Sequence, residues 1–381
     1  MNFPFGPATM AAALLATSAL TGQARASCNL GNGIKHVVYL QFDNTHFTRD
    51  NANVPSDLEQ MPNLYNFVTQ NGFLLSNDHT QLLSHTADGI LTSETGVYPD
   101  RQGAGAIANS FNYYNTSTGN ATAYNSSFVY WTNKLTDTSP GGDTSYVLLA
   151  ETGKNAPAPW VGYTRAGCDV GAVGIADIDL ENTTSDIAAS YGNPSAEYSF
   201  VTKTGTGAPS SGQKVADFEG IALHCAVGST ICATANSLTG TQSDGLPTSK
   251  AVADLLPDEP GGYTGFQGIF GHRYAVPALQ AVLGQPTNGQ LTDYQGNLIG
   301  YQTASGGQII QSQTISGFPG FDGMFPFVTL SYAETMLKAG VPVVYGYLPT
   351  RMTITTARRM ASIPRAARSL TAQASKAMST N

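Results

Sequence analysis

The run SHTADGILTSETGVYPDRQG, Ser84 to Gly103, gathers Ser and Thr hydroxyls, an imidazole and several carboxylates in a short space. A serine-hydrolase elbow would need G-x-S-x-G, and a phosphate-binding loop would need Gly-Lys-Ser or Gly-Lys-Thr; neither occurs in this run. What remains is a hydroxyl at the start of a helix, ADGILTSET. There the free backbone N–H groups and the helix dipole favour an anionic group. The plainer reading is that Ser84 or Thr86 only caps that helix.

Such a hydroxyl needs elements to aim it. IKHVVYLQF, Ile34 to Phe42, reads as a buried strand that delivers Asp43 at its C-terminal end, where open α/β sheets place their sites. MPNLYNFVTQNG reads as a helix: Pro62 suits its first turn, Leu64, Phe67 and Val68 share one face, and Gly72 suits the stop. Late in the chain FVTLSYAETMLKAG reads as a second helix ended by Gly340, followed by the strand VPVVYGYL. The polar stretches at 103–126, 186–215 and 234–250 read as loops or short strands inserted into a compact core, and no internal repeat is evident.

Asp43 closing the first strand, then MPNLYNFVTQNG, then a hydroxyl nine residues before TGVYPDRQG stand in an order that resembles the alkaline phosphatase superfamily. The nearest likeness is to its phosphodiesterase and nucleotide-pyrophosphatase branch, and it covers Ile34 to Gly103. That resemblance implies an α/β fold, a three-layer α/β/α sandwich with a mostly parallel sheet. It implies metal-dependent hydrolysis of a small phosphate mono- or diester with two divalent ions, zinc above all. Carried over by position, Asp43 would be a metal ligand and Thr86 the metal-bound nucleophile. Members of the branch often carry an Asn three positions after the nucleophile; here that position is Gly89, so a phosphoryl oxygen would fall to backbone N–H groups, that of Gly89 among them, or to another side chain. His79 and His85 read as hydrogen-bonded structure before they read as ligands. A sulfatase on the same scaffold would need a C/S-x-P/A-x-R motif, which SETGVYPDR does not supply. A secreted binding protein without catalysis is the reading from another class, and the Gly-, Thr- and Asn-rich loops suit it.

Composition narrows the setting. With 12% charged residues and a formal balance of -8 there is no basic surface to attract a nucleic acid backbone. Residues 1–26, with MAAALLATSALTG before Ala24-Arg25-Ala26, read as a signal peptide, so the mature chain is expected to be secreted or periplasmic. No later apolar run is long enough to cross a bilayer. In that compartment Cys28, Cys168, Cys225 and Cys232 suggest two disulfides. Cys225 and Cys232 flank the short AVGSTI, which leaves Cys28 for Cys168; a zinc site with His224 is the weaker alternative.

The expected main domain spans 27–347, and 348–381 is of another character. That tail holds six Lys or Arg, no Asp or Glu, no Gly and no aromatic residue, and no Asp or His follows Gly323. Two-metal phosphoryl transfer in the resembled superfamily needs Asp and His ligands from its C-terminal half, so the site is expected to be incomplete and the tail to be read out of frame, with a basic surface helix as the alternative. Joining the third base of each codon to the first two of the next, the junction of Met352 with Thr353 must encode Asp, and Pro349 to Ala357 can read Asp-Ala-His-Asp-Asn-His-Asp-Gly. Nucleotide sequencing through these codons checks it. The expected result is that Asp- and His-bearing string in a shifted frame; a confirmed frame, with a soluble 381-residue protein that binds zinc and cleaves phosphate esters, refutes it.

Overall fold

The computed structural model describes residues 27–75, 77–79, 81, 86–99, 112–115, 119–123, 157–175, 183–218, 220–253, 266–283, 291–292, 298–299 and 326–348. The expected signal peptide and the tail beyond Leu348 lie outside them. In chain order the elements are β1 (Val37–Phe42), α1 (Pro62–Asn71), α2 (Thr86–Thr95), β2 (Asn112–Asn115), β3 (Asn120–Ala123), α3 (Val161–Arg165) and β4 (Val170–Val173). Then come α4 (Thr183–Tyr191), α5 (Ala196–Thr202), α6 (Ser211–Asp217), β5 (Ile221–Cys225), α7 (Thr230–Ser237), β6 (Val252–Ala253) and β7 (Gln267–Phe270). The last are α8 (His272–Leu283), β8 (Leu291–Thr292), β9 (Leu298–Ile299), α9 (Pro326–Lys338) and β10 (Val343–Leu348).

Six strands form one sheet in the order β1-β10-β4-β5-β7-β6. β2 pairs with β3, and β8 with β9, as separate two-stranded ribbons. The fold is mixed α/β, but the sheet is not mostly parallel as expected: β1–β10 and β10–β4 are parallel, whereas β4–β5, β5–β7 and β6–β7 are antiparallel. The pattern of apolar runs could not tell the two apart, because strands buried on both faces look alike in either direction. Helix-bearing segments enter between β4 and β5 and between β5 and β7, and the chain re-enters the sheet in the opposite sense each time.

Alternate residues of the strands feed two cores on opposite faces. On one, Val173, Ile221, Leu223, Ile269 and Val344 pack under α4, α5, α7, α8 and α9, with Tyr274, Tyr332 and Met336 fully buried. On the other, Val170, Ala172, Val343 and Tyr345 pack under α2 and α3 with Ile90, Leu91 and Trp160. The stretch 186–215, expected as loops or short strands, instead forms α4, α5 and α6; burial of Ile187 and Val201 in the first core outweighs the weak helix propensity of Ser, Thr and Asn. α9 lies unusually close to the sheet because Gly171 has no side chain: a Cβ there would stand 2.2 Å from Met336 Sδ.

β1 departs from its expected burial. It sits at the edge of the sheet, and Val38 and Tyr39 remain more than a third exposed. In α1 the residues that turn inward are Leu64, Phe67 and Val68, the face read from the sequence, yet none is fully buried. Gly72 does follow α1, in an extended and not a left-handed conformation (φ -122°). β10 runs through Leu348, one residue beyond the expected domain limit, because Leu348 pairs with Phe42.

Buried charge is concentrated at one knot. Arg273, in the first turn of α8, bridges Asp217 of α6 and Asp244, accepts no exposure beyond a few per cent, and lies over the rings of Phe200 and Phe218. Burial pushes the Asp217 carboxyl up, and Arg273 opposes that shift. Nearby, the fully buried Glu197 accepts hydrogen bonds from Lys250 Nζ at 2.8 Å and Tyr274 Oη at 2.9 Å. Removing one partner of such a pair strands the other in low dielectric. Arg273→Ala is therefore expected to cost about 3 kcal/mol of stability, read as a lowered urea midpoint at unchanged slope.

Candidate functional site

The C-terminal ends of β1, β10, β4 and β7 point the same way. Asp43 follows β1 directly; its N–H donates to Leu348 O at 3.0 Å, so the strand pairing fixes where the residue emerges. Asn44 then takes a left-handed conformation (φ 45°) and the Thr45 hydroxyl donates back to Asp43 O at 3.0 Å, which turns the chain off the sheet. Asn is one of the few residues that tolerate this backbone. The following loop is tied by a reciprocal cap, Ser56 N to Glu59 Oε2 at 2.8 Å and Glu59 N to Ser56 Oγ at 3.2 Å. Arg49 forks onto Glu59, and chiefly through that hydrogen bond the Glu59 carboxyl is held down to about 2. The His46 ring pairs with Asp50.

α2 lies across the same face of the sheet as Tyr39 and Gln41. The Tyr39 hydroxyl lies near Ser93, while four residues earlier a Cβ on Gly89 would lie 3.9 Å from Gln41 Nε2. α2 therefore runs antiparallel to β1. Its first residue, Thr86, half-buried, thus lies at the end of α2 nearer the strand end that carries Asp43. The helix stops at Gly96, whose positive φ of 71° lets its N–H donate to Thr92 O at 2.8 Å. The Thr95 hydroxyl donates to Leu91 O at 2.6 Å and accepts from Val97 N at 3.1 Å. Thr95 and Gly96, singled out as part of a motif, thus terminate the helix that presents Thr86.

Asp88 was not picked out by sequence reasoning. An acid in the first helical turn looks like an ordinary partner of the helix dipole. In the structure it is completely buried, and desolvation pushes its carboxyl up to about 7. Burial outweighs the dipole here, since the dipole contributes on the order of 1 kcal/mol at a helix end. Gln41 and Gln81 were likewise missed; Gln41 shares the face of β1 that carries Tyr39, a period-2 signal that was present in the sequence but not used.

His79 Nε2 is 2.9 Å from Asn77 Oδ1, a local contact within an exposed loop; Ser84 and His85 lie outside the described residues. Among the described residues no three His, Cys, Asp or Glu side chains converge as a metal cage. Asp43 and Thr86 supply one carboxylate and one hydroxyl, short of the four donors a zinc site takes, so the described residues do not by themselves fit the two-metal centre implied by the resemblance. Asp217 and His272 reach the same end of the sheet, but beside β7, four strands or roughly 19 Å from β1. They are engaged there with Arg273 and with the Tyr332 hydroxyl.

The four cysteines sit at the opposite end. Cys28 is bonded to Cys168 just before β4, and Cys225, at the end of β5, to Cys232 in α7. No thiolate is left for zinc, and His224 is a core residue stacked 3.8 Å from Trp160. The first bridge closes 140 positions of chain and the second 7, about 5 and about 2.5 kcal/mol of chain entropy respectively. They staple the far end of the sheet, and neither reaches the Asp43 end. Disulfides of this kind suit an oxidising compartment, and among the described residues no helix is long and apolar enough to cross a membrane.

Comparisons with protein-family models, with curated proteins and with solved structures find no match to this chain.

The raised Asp88 pKa has a stability sign. An acid whose folded pKa lies above its unfolded value near 3.8 contributes fully below that unfolded value, and the contribution is lost as pH rises toward about 7. Asp88→Asn, which keeps the shape of the neutral acid, is expected to match the parent near pH 4 and to exceed it by a few kcal/mol, ~4 at most, at pH 8. Urea midpoints of both proteins at the two pH values measure it.

Proposed function

We propose that the chain is a phosphate-ester hydrolase of alkaline phosphatase-like type, with its site between the end of β1 and the first turn of α2. The supporting observation is the antiparallel seating of α2 on β1, with Tyr39 at Ser93 and Gln41 at Gly89, which puts the first turn of α2 toward the strand end that carries Asp43. A helix N-terminus attracts an anion, and a hydroxyl on its first residue stands beside whatever anion it holds. Cores on both faces of the sheet accord with the α/β/α layering expected of such an enzyme.

In this reading the first turn of α2 seats the phosphoryl group, and Thr86 Oγ forms the new bond to phosphorus as the P–O bond to the alcohol breaks, the hydroxyl proton going through solvent to the departing alkoxide. Water then releases phosphate from Thr86. Asp43 would be a carboxylate ligand of a divalent cation, zinc by the chemistry of the resemblance. The described residues do not complete that cation's shell, and further donors must come from elsewhere. The low charge and disulfide-stapled frame fit a small phosphate ester met outside the cytoplasm.

With zinc-supplemented, full-length protein and an aryl phosphate ester, Thr86→Ala is expected to lower turnover by roughly a thousandfold or more, with an unchanged melting temperature. Turnover equal to that of the parent removes Thr86 from the chemistry. No turnover and no phosphate binding by the parent itself favours a binding module without catalysis.

A further inference from the structure

We infer that the side-chain carboxamides of Gln81 and Gln41 are the donors that hold a phosphoryl oxygen beside Thr86; this assignment rests on the phosphate-ester reading above. Position 89 lies one helical turn after Thr86, on the same face of α2. It is glycine, so position 89 itself puts no side chain into the space beside that turn. The space is taken by two neutral amides from outside the helix. A Cβ on Gly89 would stand 3.4 Å from Gln81 Nε2 and 3.9 Å from Gln41 Nε2.

The two amides differ in how they are held. Gln41 comes from β1, two positions before Asp43 and hence on the same side of the strand. Gln81 precedes α2, and its Nε2 is buried with no hydrogen-bond partner among the described residues. A buried donor without an acceptor is costly, and native proteins keep few of them. An anionic oxygen seated between the α2 first turn and the two glutamines would accept from Gln81 Nε2 and remove that cost. The donors are uncharged, so they bind the oxygen by hydrogen bonding and leave the charge of the site to Asp43, Thr86 and any cation held there. Gly89 keeps the first turn open, and the glutamines supply what a polar residue at 89 would otherwise supply.

Isothermal titration of the zinc-supplemented, full-length protein with inorganic phosphate tests the assignment. Gln81→Ala is expected to weaken phosphate binding roughly ten- to a hundredfold, the worth of a hydrogen bond to a charged group, with the melting temperature unchanged; Gln41→Ala is expected to act in the same direction. Adding Gly89→Asn to Gln81→Ala places a carboxamide in the vacated space and is expected to restore binding, which a merely structural role for Gln81 would not produce. Parent-like affinity in the Gln81→Ala, Gln41→Ala double variant, while Thr86→Ala or Asp43→Ala weakens binding, overturns the assignment alone. Failure of the parent to bind phosphate, or binding indifferent to Thr86→Ala and Asp43→Ala, overturns the phosphate-ester reading and this assignment with it.

Discussion

The parallel pairing of β1 with β10 is the constraint on which the proposed site depends. It joins the two far ends of the described chain, Val37 to Val343 through Phe42 to Leu348, and among the described strands β1 pairs with β10 alone. The register decides where Asp43 leaves the sheet, because its N–H continues the ladder onto Leu348 O. It also brings Tyr345 against Tyr39, ring centroids 5.5 Å apart, which builds the floor on which α2 rests. Parallel neighbours require a crossover, which here runs through the whole intervening chain; its last helix, α9, leads into β10 and is pressed close to β4 by Gly171 and to β10 by Gly346. Loss of the pairing would release β1, α2 and both ends of the proposed site together.

Rigidity is distributed unevenly around this pairing. At one end of the sheet two disulfides and the Asp169 carboxylate, which accepts from Ala226 N at 2.8 Å and Ser229 Oγ at 2.7 Å, bind β4, β5 and α7 into a fixed block. At the other end the β7 side is held by the ionic knot of Arg273, Asp217 and Asp244. The Asp43 side has neither. β1 is an edge strand with exposed Val38 and Tyr39, and Phe73, Leu74 and Leu75 beyond α1 are more than half exposed. Open sheet edges and contiguous apolar surface are unusual in a finished monomer. Among the described residues, the part that carries the proposed chemistry is thus held by neither disulfide nor buried ionic knot.

Electrostatics within the site follow from burial more than from sequence position. Asp43 and Asp88 are both acids close to the start of α2, yet Asp43 is half-buried at a strand end, whereas Asp88 is enclosed and its carboxyl rises to about 7. Enclosure places Asp88 to shed its charge near neutrality. The amides of Gln41 and Gln81 add donors without adding charge, which suits a turn that already contains a buried acid.

Local pattern determined several features of this protein by itself. The strand ending at Asp43, the helix begun by Pro62 with its Leu64, Phe67 and Val68 face, the helix of Thr86 stopped at Gly96, the late helix and strand, and the pairing of cysteines by separation all follow from interactions a few residues long. Tertiary structure alone decided the rest. Strand direction depends on how the intervening helices return the chain, which no run of apolar residues encodes. Burial of Ile187 and Val201 made helices of a polar stretch, and the edge position of β1 left apolar residues in water that the same sequence would bury in a central strand. Asp88, Gln41 and Gln81 gained their significance only when α2 was laid antiparallel on β1, because their pKa and hydrogen bonding depend on neighbours distant in sequence. Desolvation and orphaned donors are properties of three-dimensional enclosure, and a one-dimensional pattern carries no measure of them.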